Sequence, residues 1–403
     1  MQNRRLLTIF LIVFIDLLGF GLILPLLPFY AETFKASDTV VGLLVASYAA
    51  AQLIGAPVLG RLSDRYGRRP ILLVSIVGTS LGFLVLGLAD TLWLLFAARI
   101  FDGLTGGNIA VARAYITDTT DEHSRARALG LIGAAFGLGF IIGPALGGAL
   151  STGGNYALPA FVAAGLAALN AVMAFFWLPE SLSAERRAAL RAQPRPFTSP
   201  RRVLAAFRRP VVGPLLQLML LFQLAFVTFE GVFSLYAKEH LALESNEAGY
   251  LLAYAAAIIA LVQGLAIGRL EARYRETQLS LGAAAIMMVS LLGWAVAPGL
   301  PLTILVLAPL SFSIGVLSTT MHSSVTKAVT MDEVGGMMGI STAIGSAARM
   351  VGPAVGGFLF DVLGAWGPGV FGAGLMLWFL VYGWRAFRIH PSWGRVGETS
   401  PVQ

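Results

Sequence analysis

Twelve apolar runs of about 20 residues follow one another along this 403-residue chain. A helix of that length crosses ~30 Å of hydrocarbon. In a bilayer core every backbone N–H and C=O must be paired within its own segment, so isolated apolar runs there become helices. The runs lie at about 6–29 (α1), 40–61 (α2), 70–89 (α3), 92–116 (α4), 126–150 (α5), 157–178 (α6), 211–236 (α7), 247–268 (α8), 278–298 (α9), 301–326 (α10), 336–360 (α11) and 368–388 (α12). Only 12% of residues are charged, against roughly 25% in soluble domains. A soluble chain of this kind would lack the polar surface to cover its cores. The first run follows Arg4 and Arg5 and could pass for a signal peptide. Its length, the presence of Asp16 and the sequence PFYAETF after it, in place of a small-residue cleavage site, mark a mature helix. The expectation is an all-α membrane protein with twelve transmembrane helices.

Basic residues fall on one side of these runs. With the N-terminus inside, cytoplasmic segments hold 23 of the 28 Lys and Arg residues. The outer loops hold only Lys35 and Lys238, and Arg99, Arg113 and Arg349 lie within spans. This bias places both termini in the cytoplasm. It accounts for the net charge of +7 without nucleic acid as a partner.

Composition closes off other chemistries. With no cysteine there is no disulfide, thiolate nucleophile or thiol metal site. The histidines, His123, His240, His322 and His390, are too scattered for a metal cluster. No P-loop and no Gly-x-Ser-x-Gly elbow occurs. The chain therefore reads as not an enzyme, with no catalytic residue, metal or cofactor, and any work it does draws on an ion gradient.

One long polar segment, 179–210, divides the runs six and six. Part of it, SAERRAALRA, has the pattern of an amphipathic helix lying on the inner membrane face, although a solvated linker is the simpler reading. The halves repeat each other. GRLSDRYG at 60–67 returns as GRLEARYR at 268–275, and GPALGGAL at 143–150 returns as GPAVGGFL at 352–359, at offsets of 208 and 209 residues. Two matches at equivalent points of six-span units indicate a duplicated fold, a known plan for transporters with a site between repeats. The expected organisation is a six-helix half at 1–178, a cytoplasmic linker at 179–210, a second six-helix half at 211–390 and a flexible cytoplasmic tail at 391–403.

Several segments together carry a family resemblance. GRLSDRYGRR resembles the loop between helices 2 and 3 that marks the major facilitator superfamily. DLLGFGLILPLLPFY (16–30), AARIFDGLTGGNIA (97–110) and GLGFIIGPALGG (137–148) resemble motifs of helices 1, 4 and 5 in its twelve-helix drug:proton antiporters, of the tetracycline-resistance-like kind. The resemblance covers residues 1–390. It implies two pseudo-symmetric six-helix halves and a monomer of the bacterial inner membrane. The implied activity is proton-coupled antiport, as in multidrug efflux and antibiotic resistance. It departs from tetracycline exporters proper, which have acids within helices 3 and 9. Helix 3 here has Gly82 at the matching interior position and helix 9 has no acid, so recognition of a magnesium–tetracycline complex is not expected.

Charges at membrane depth are costly and functional by default. Asp16 lies in α1, Arg99 and Asp102 share a face of α4 at i,i+3, Glu230 lies in α7 and Arg349 in α11. These five are the expected proton-coupling groups, with Asp16 and Arg99 the first pair expected. The loop residues Gly60, Asp64, Arg65, Gly67, Arg68 and Arg69, with the acids Asp118, Asp121 and Glu122, are the expected cytoplasmic gate. The resemblance places Asp64 against the inner end of α11. Gly139, Gly143, Pro144, Gly147 and Gly148, and their repeats Gly352, Pro353, Gly356 and Gly357, give small faces for close helix packing. The resemblance puts both sets at the seam between halves.

The resemblance also has helices 1, 4, 7 and 10 lining the cavity. Candidate substrate contacts are Tyr30, Gln52, Asn108, Tyr115, Gln223, Phe226, Phe229, Gln263, Phe312 and His322, a mixture suited to small amphipathic molecules. The expected partners are such a substrate, protons and the lipid bilayer. The leading expectation is export by alternating access. A proton-coupled symporter or sugar-type exporter of the same fold is the alternative, and a lipid flippase or a non-transporting sensor the second.

Overall fold

The structure, a computed structural model, describes residues 2–192 and 200–389. The expected tail 391–403 and part of the expected linker lie outside the described residues. All regular structure within them is helical. Among the described residues, twelve helices are long and apolar enough to cross a membrane: α1 Leu6–Glu32, α2 Asp38–Tyr66, α3 Arg68–Gly87, α4 Leu92–Thr119, α5 Ala128–Leu150, α6 Ala157–Trp177, α7 Val212–Glu239, α8 Ser245–Arg273, α9 Glu276–Ala295, α10 Leu300–Lys327, α11 Glu333–Leu363 and α12 Gly367–Phe387. Large apolar side chains such as Trp93, Phe176, Val296 and Trp378 stay exposed, as expected where the surroundings are hydrocarbon rather than water.

Three spans are interrupted. Pro25 and Pro28 cannot donate backbone hydrogen bonds, and α1 tightens to a 3-10 turn at Leu24–Leu26. α4 is helical to Thr105 and resumes at Asn108, with Gly106 and Gly107 between. α8 widens to a π turn at Val262–Ala266. Non-helical backbone at this depth survives only where the protein itself satisfies it. Ala184–Ala192 in the polar segment is a helix, exposed at Glu185, Arg186, Ala188 and Ala189. The simpler linker reading missed that helix, and a second one covers Pro200–Phe207.

The chain forms two compact units. One contains Met1–Phe197, Gly231–Ala256 and Pro353–Asp361; the other contains Thr198–Glu230, Ala257–Gly352 and Val362–Gln403. The first unit has one apolar core around Ile9, Ile12, Val111, Tyr115 and Ile132, and another around Leu22, Leu44, Phe83, Leu95 and Ala163. In the second, Leu215, Leu216 and Met219 of α7 pack with Val325 and Ile344.

Small residues let helices of the first unit meet backbone to backbone. Gly139, Gly143 and Gly147 of α5 lie against Leu17, Gly21 and Leu22 of α1. At the arginine-poor ends of the helices, Gly249 of α8 faces the Pro144 carbonyl and Gly148 of α5. Gly42 of α2 faces the Pro353 carbonyl and Gly357 of α11 in the same way. A Cβ at Gly42 or Gly249 would collide with the facing carbonyl oxygen. Gly42 and Gly249 are themselves 207 residues apart, so these two contacts repeat each other.

Candidate functional site

The break in α4 organises the interior of the first unit. Its loose backbone groups are taken up from both sides. The Ser75 hydroxyl of α3 donates to the Thr105 carbonyl and accepts from Gly107 N–H at 3.0 Å. Gln52 of α2 donates from Nε2 to the Gly106 carbonyl at 3.0 Å and to Tyr48 Oη at 2.9 Å. Gly78 and Gly82 of α3 bring that helix against Thr105 and Asp102. An acid at position 82 would have no room there, which is a physical reason for the missing helix 3 carboxylate.

Two differently paired carboxylates flank this break. Arg99 Nη1 donates to Asp102 Oδ2 at 3.0 Å, with both residues 2% exposed. The guanidinium carbon lies 4.4 Å from the Tyr48 ring centroid and 5.9 Å from that of Phe20, within cation–π range. Asp16 takes a different partner from the one expected. Its Oδ1 accepts a short hydrogen bond from Asn108 Nδ2, the first residue after the break. Arg99 is turned to Asp102 on its own helix, so the expected Asp16–Arg99 pair is replaced by Asp16–Asn108. The amide oxygen of Asn108 is buried with no hydrogen-bond partner among the described residues. Asp16 keeps part of its surface accessible, while Arg99, Asp102 and Asn108 are buried.

In the second unit Arg349 Nη1 lies 3.8 Å from Glu230 Oε2. That is an ion pair beyond hydrogen-bonding distance. Arg349 is the more exposed partner, at 39% against 15%.

The loop between α2 and α3 is built around a buried arginine. Gly67 sits at φ 114° between the two helices, a conformation that favours glycine. Arg68 is 1% exposed and meets Asp64 at 2.6 Å, Asp118 at 2.8 Å and Ser63 Oγ at 2.7 Å. Asp118 is one of the acids expected near this loop, and it meets Arg68 directly. Glu180 does not appear in that expectation. It leads the polar segment and accepts from the backbone N–H groups of Arg68 at 2.9 Å and Arg69 at 3.2 Å, capping the start of α3. Arg69 itself donates to the Phe175 carbonyl at 2.5 Å, and Arg65 stacks beside Tyr66. Asp121 is exposed, Gly60 faces open space, and the Glu122 side chain lies outside the described residues.

The expected substrate contacts separate into groups. Tyr30 donates to the Leu86 and Ala89 carbonyls at 3.2 and 2.9 Å, and Tyr115 is fully buried in an apolar core. Phe229 packs edge-on against Trp294 at 4.9 Å. These three serve packing. Gln52 and Asn108 belong to the α4 break. Gln223, Phe226, Phe312 and His322 are partly exposed and Gln263 is exposed in the π turn. His322 Nδ1 lies 2.7 Å from the Ser318 carbonyl of its own helix. Tyr48, which forms a wall of the Arg99 site, was not among the sequence candidates.

Comparison with known proteins follows the same lines. A model of the Major Facilitator Superfamily matches residues 9–335. Tetracycline resistance protein, class C, of Escherichia coli is 32% identical over 363 residues, 88% of this chain and 89% of that protein. The human organic anion transporter MFSD10 (TETRAN) superposes with a TM-score of 0.68 at 25% identity, covering 95% of this chain and 99% of that one. A bacterial homolog of the human lysosomal transporter Spinster, in an inward-facing and occupied conformation, superposes with a TM-score of 0.80 at 16% identity over 98% of each chain.

Proposed function

Because this chain belongs to the Major Facilitator Superfamily and is an integral multi-pass membrane protein, we propose that it is a proton-coupled antiporter. In this reading it exports small amphipathic compounds or drugs by alternating access. It acts as a monomer in a bacterial inner membrane, with both termini in the cytoplasm. The proton gradient is its energy source and no cofactor takes part.

One observation carries the reading: an acid paired with a neutral amide stands beside an acid paired with an arginine. Arg99 gives Asp102 a hydrogen bond and a fixed counter-charge. Asn108 can serve Asp16 in both protonation states. Its amide N–H donates to the carboxylate, and its free oxygen can accept from the protonated acid once the amide rotates. Asp16 can therefore gain and lose a proton and keep a hydrogen-bond partner in both states. Glu230, with Arg349 at 3.8 Å, supplies a second carboxyl whose attraction to its partner changes with small movements. In the first unit, the aromatic rings of Tyr48 and Phe20 beside Arg99 and Asp102 suit cationic or neutral amphipathic substrates.

The name of the class C relative makes tetracycline a substrate to try. The absence of acids in the interiors of α3 and α9 argues against its magnesium complex. The test is a drug-susceptibility panel in an efflux-deficient host, followed by inverted membrane vesicles loaded by a proton gradient. Export by antiport accumulates substrate in those vesicles, and adding substrate dissipates the gradient. A chain that confers no resistance and moves no proton on substrate addition would refute the reading.

A further inference from the structure

The sequence repeat extends to a pair of charges whose signs are exchanged. Position 276 follows Arg68 by 208 residues, and position 327 follows Asp118 by 209, the offsets of the two repeated motifs. In the first unit the pair is Arg68–Asp118 at 2.8 Å. In the second it is Glu276–Lys327 at 2.5 Å. Both join the start of the third helix of a half to the end of the fourth. In both, the member at the helix start is buried, Arg68 at 1% and Glu276 at 5%.

The exchange reverses the relation to the helix dipoles. Arg68 is the first residue of α3 and Asp118 lies in the last turn of α4. Each places its charge at the helix end of the same sign, where it is disfavoured. Asp64 beside Arg68 and Glu180 on the adjoining N–H groups offset this. Glu276 is the first residue of α9 and Lys327 lies in the last turn of α10, so each charge sits at the helix end that attracts it. Glu276 Oε1 also accepts from Ser323 Oγ at 2.6 Å, and Oε2 accepts from Ser324 Oγ at 3.0 Å. One turn deeper, Ser280 Oγ donates to Thr320 Oγ1 at 3.1 Å. The second unit thus has a dipole-matched join, with Lys327 itself 57% exposed, where the first has a dipole-opposed one.

We propose that Glu276 is a positioning residue, held by Lys327, Ser323 and Ser324 so that α9 and α10 stay joined through the whole transport cycle, while the Arg68–Asp118 pair is the one that releases. This rests on the alternating-access reading above. Rearrangement at the arginine-rich ends of the helices then falls to the α2–α3 loop, and the second half keeps one fixed shape there.

The absence of native cysteine makes the test direct. Glu276→Cys with Lys327→Cys, and separately Arg68→Cys with Asp118→Cys, are made in the full chain and reconstituted. Each pair is then closed with a short bifunctional thiol reagent. The untethered 276/327 variant is expected to transport about tenfold slower than wild type, and tethering to restore it to within about threefold. Tethering 68 to 118 is expected to lower whatever transport remains by about tenfold or more. A 276/327 tether that leaves transport slow, or slows it further, overturns the proposal.

Thermal unfolding of Glu276→Gln, Lys327→Met and the double variant gives a second readout that needs no transport. Either single change leaves a stranded partner, so the double variant is expected to unfold no lower than the worse single one. Simple addition of the two shifts overturns the clamp. A wild type that transports nothing refutes the antiport reading, and the unfolding cycle still decides the clamp.

Discussion

The amide of Asn108 donates a hydrogen bond to the carboxylate of Asp16 across the break in α4. The partner is neutral and its own oxygen is unoccupied among the described residues. Replacing it isolates the acid without changing the charge of the site. Asn108→Leu is expected to slow proton-driven export about tenfold with normal amounts of protein in the membrane, measured as uptake into inverted vesicles. Export at the wild-type rate would show that Asp16 needs no partner there.

Gly42 and Gly249 tell a packing story that transport must respect. Each faces a proline carbonyl of another helix at a distance that leaves no room for a Cβ. Gly42→Val and Gly249→Val should each destabilise the protein by about 1–3 kcal/mol, the usual cost of overpacking, and abolish export. Gly60→Ala, at a glycine facing open space, should not lower the unfolding temperature, because alanine is the better helix former. Thermal unfolding in detergent separates the three.

Glu180 caps α3 from a segment more than 100 residues away in sequence. Glu180→Ala should cost about 1 kcal/mol, as loss of a helix cap does. It should also raise protease sensitivity near Gly67, since the loop loses its tie to the polar segment. Limited proteolysis of the purified variant reads this; an unchanged pattern would mean that Arg68 holds the loop unaided.

Much of this arrangement is legible in the sequence. The twelve runs became twelve helices because length and hydropathy decide a membrane span almost alone. The i,i+3 spacing of Arg99 and Asp102 allows the pair that the structure shows, and Arg68 meets Asp118. What escaped depends on rotation and depth between helices that no one-dimensional spacing encodes. Asp16 met Asn108 and not Arg99, because the glycine pair at 106–107 redirects the second part of α4. Those glycines were in plain view, yet their consequence is three-dimensional. Glu180 and Glu276 carry no signal of their own in the sequence, because both lie outside the span interiors, where acids are ordinary. Only the repeat offset that relates Glu276 to Arg68 singles it out.

Arg349 and Glu230 should separate binding from coupling. At 3.8 Å the pair is not hydrogen-bonded, so Arg349→Met leaves the acid in place with its counter-charge gone. Export is then expected to fall severalfold while substrate still binds, whereas Glu230→Gln is expected to uncouple substrate movement from the proton gradient. Substrate binding to purified protein, set beside gradient-driven uptake, distinguishes the two. Equal loss of binding in both variants would assign the pair to the substrate site instead.

The most direct measurement is substrate-induced proton movement in inverted vesicles carrying Asp16→Asn. The carboxyl is removed while its hydrogen bond to residue 108 can still form. Asp16→Asn is expected to abolish both gradient-driven accumulation and substrate-induced proton release, while exchange of labelled for unlabelled substrate continues. Proton release at the wild-type rate in Asp16→Asn vesicles would contradict a coupling role for Asp16, and with it the proton-coupled antiport proposed on the Asp16–Asn108 pair.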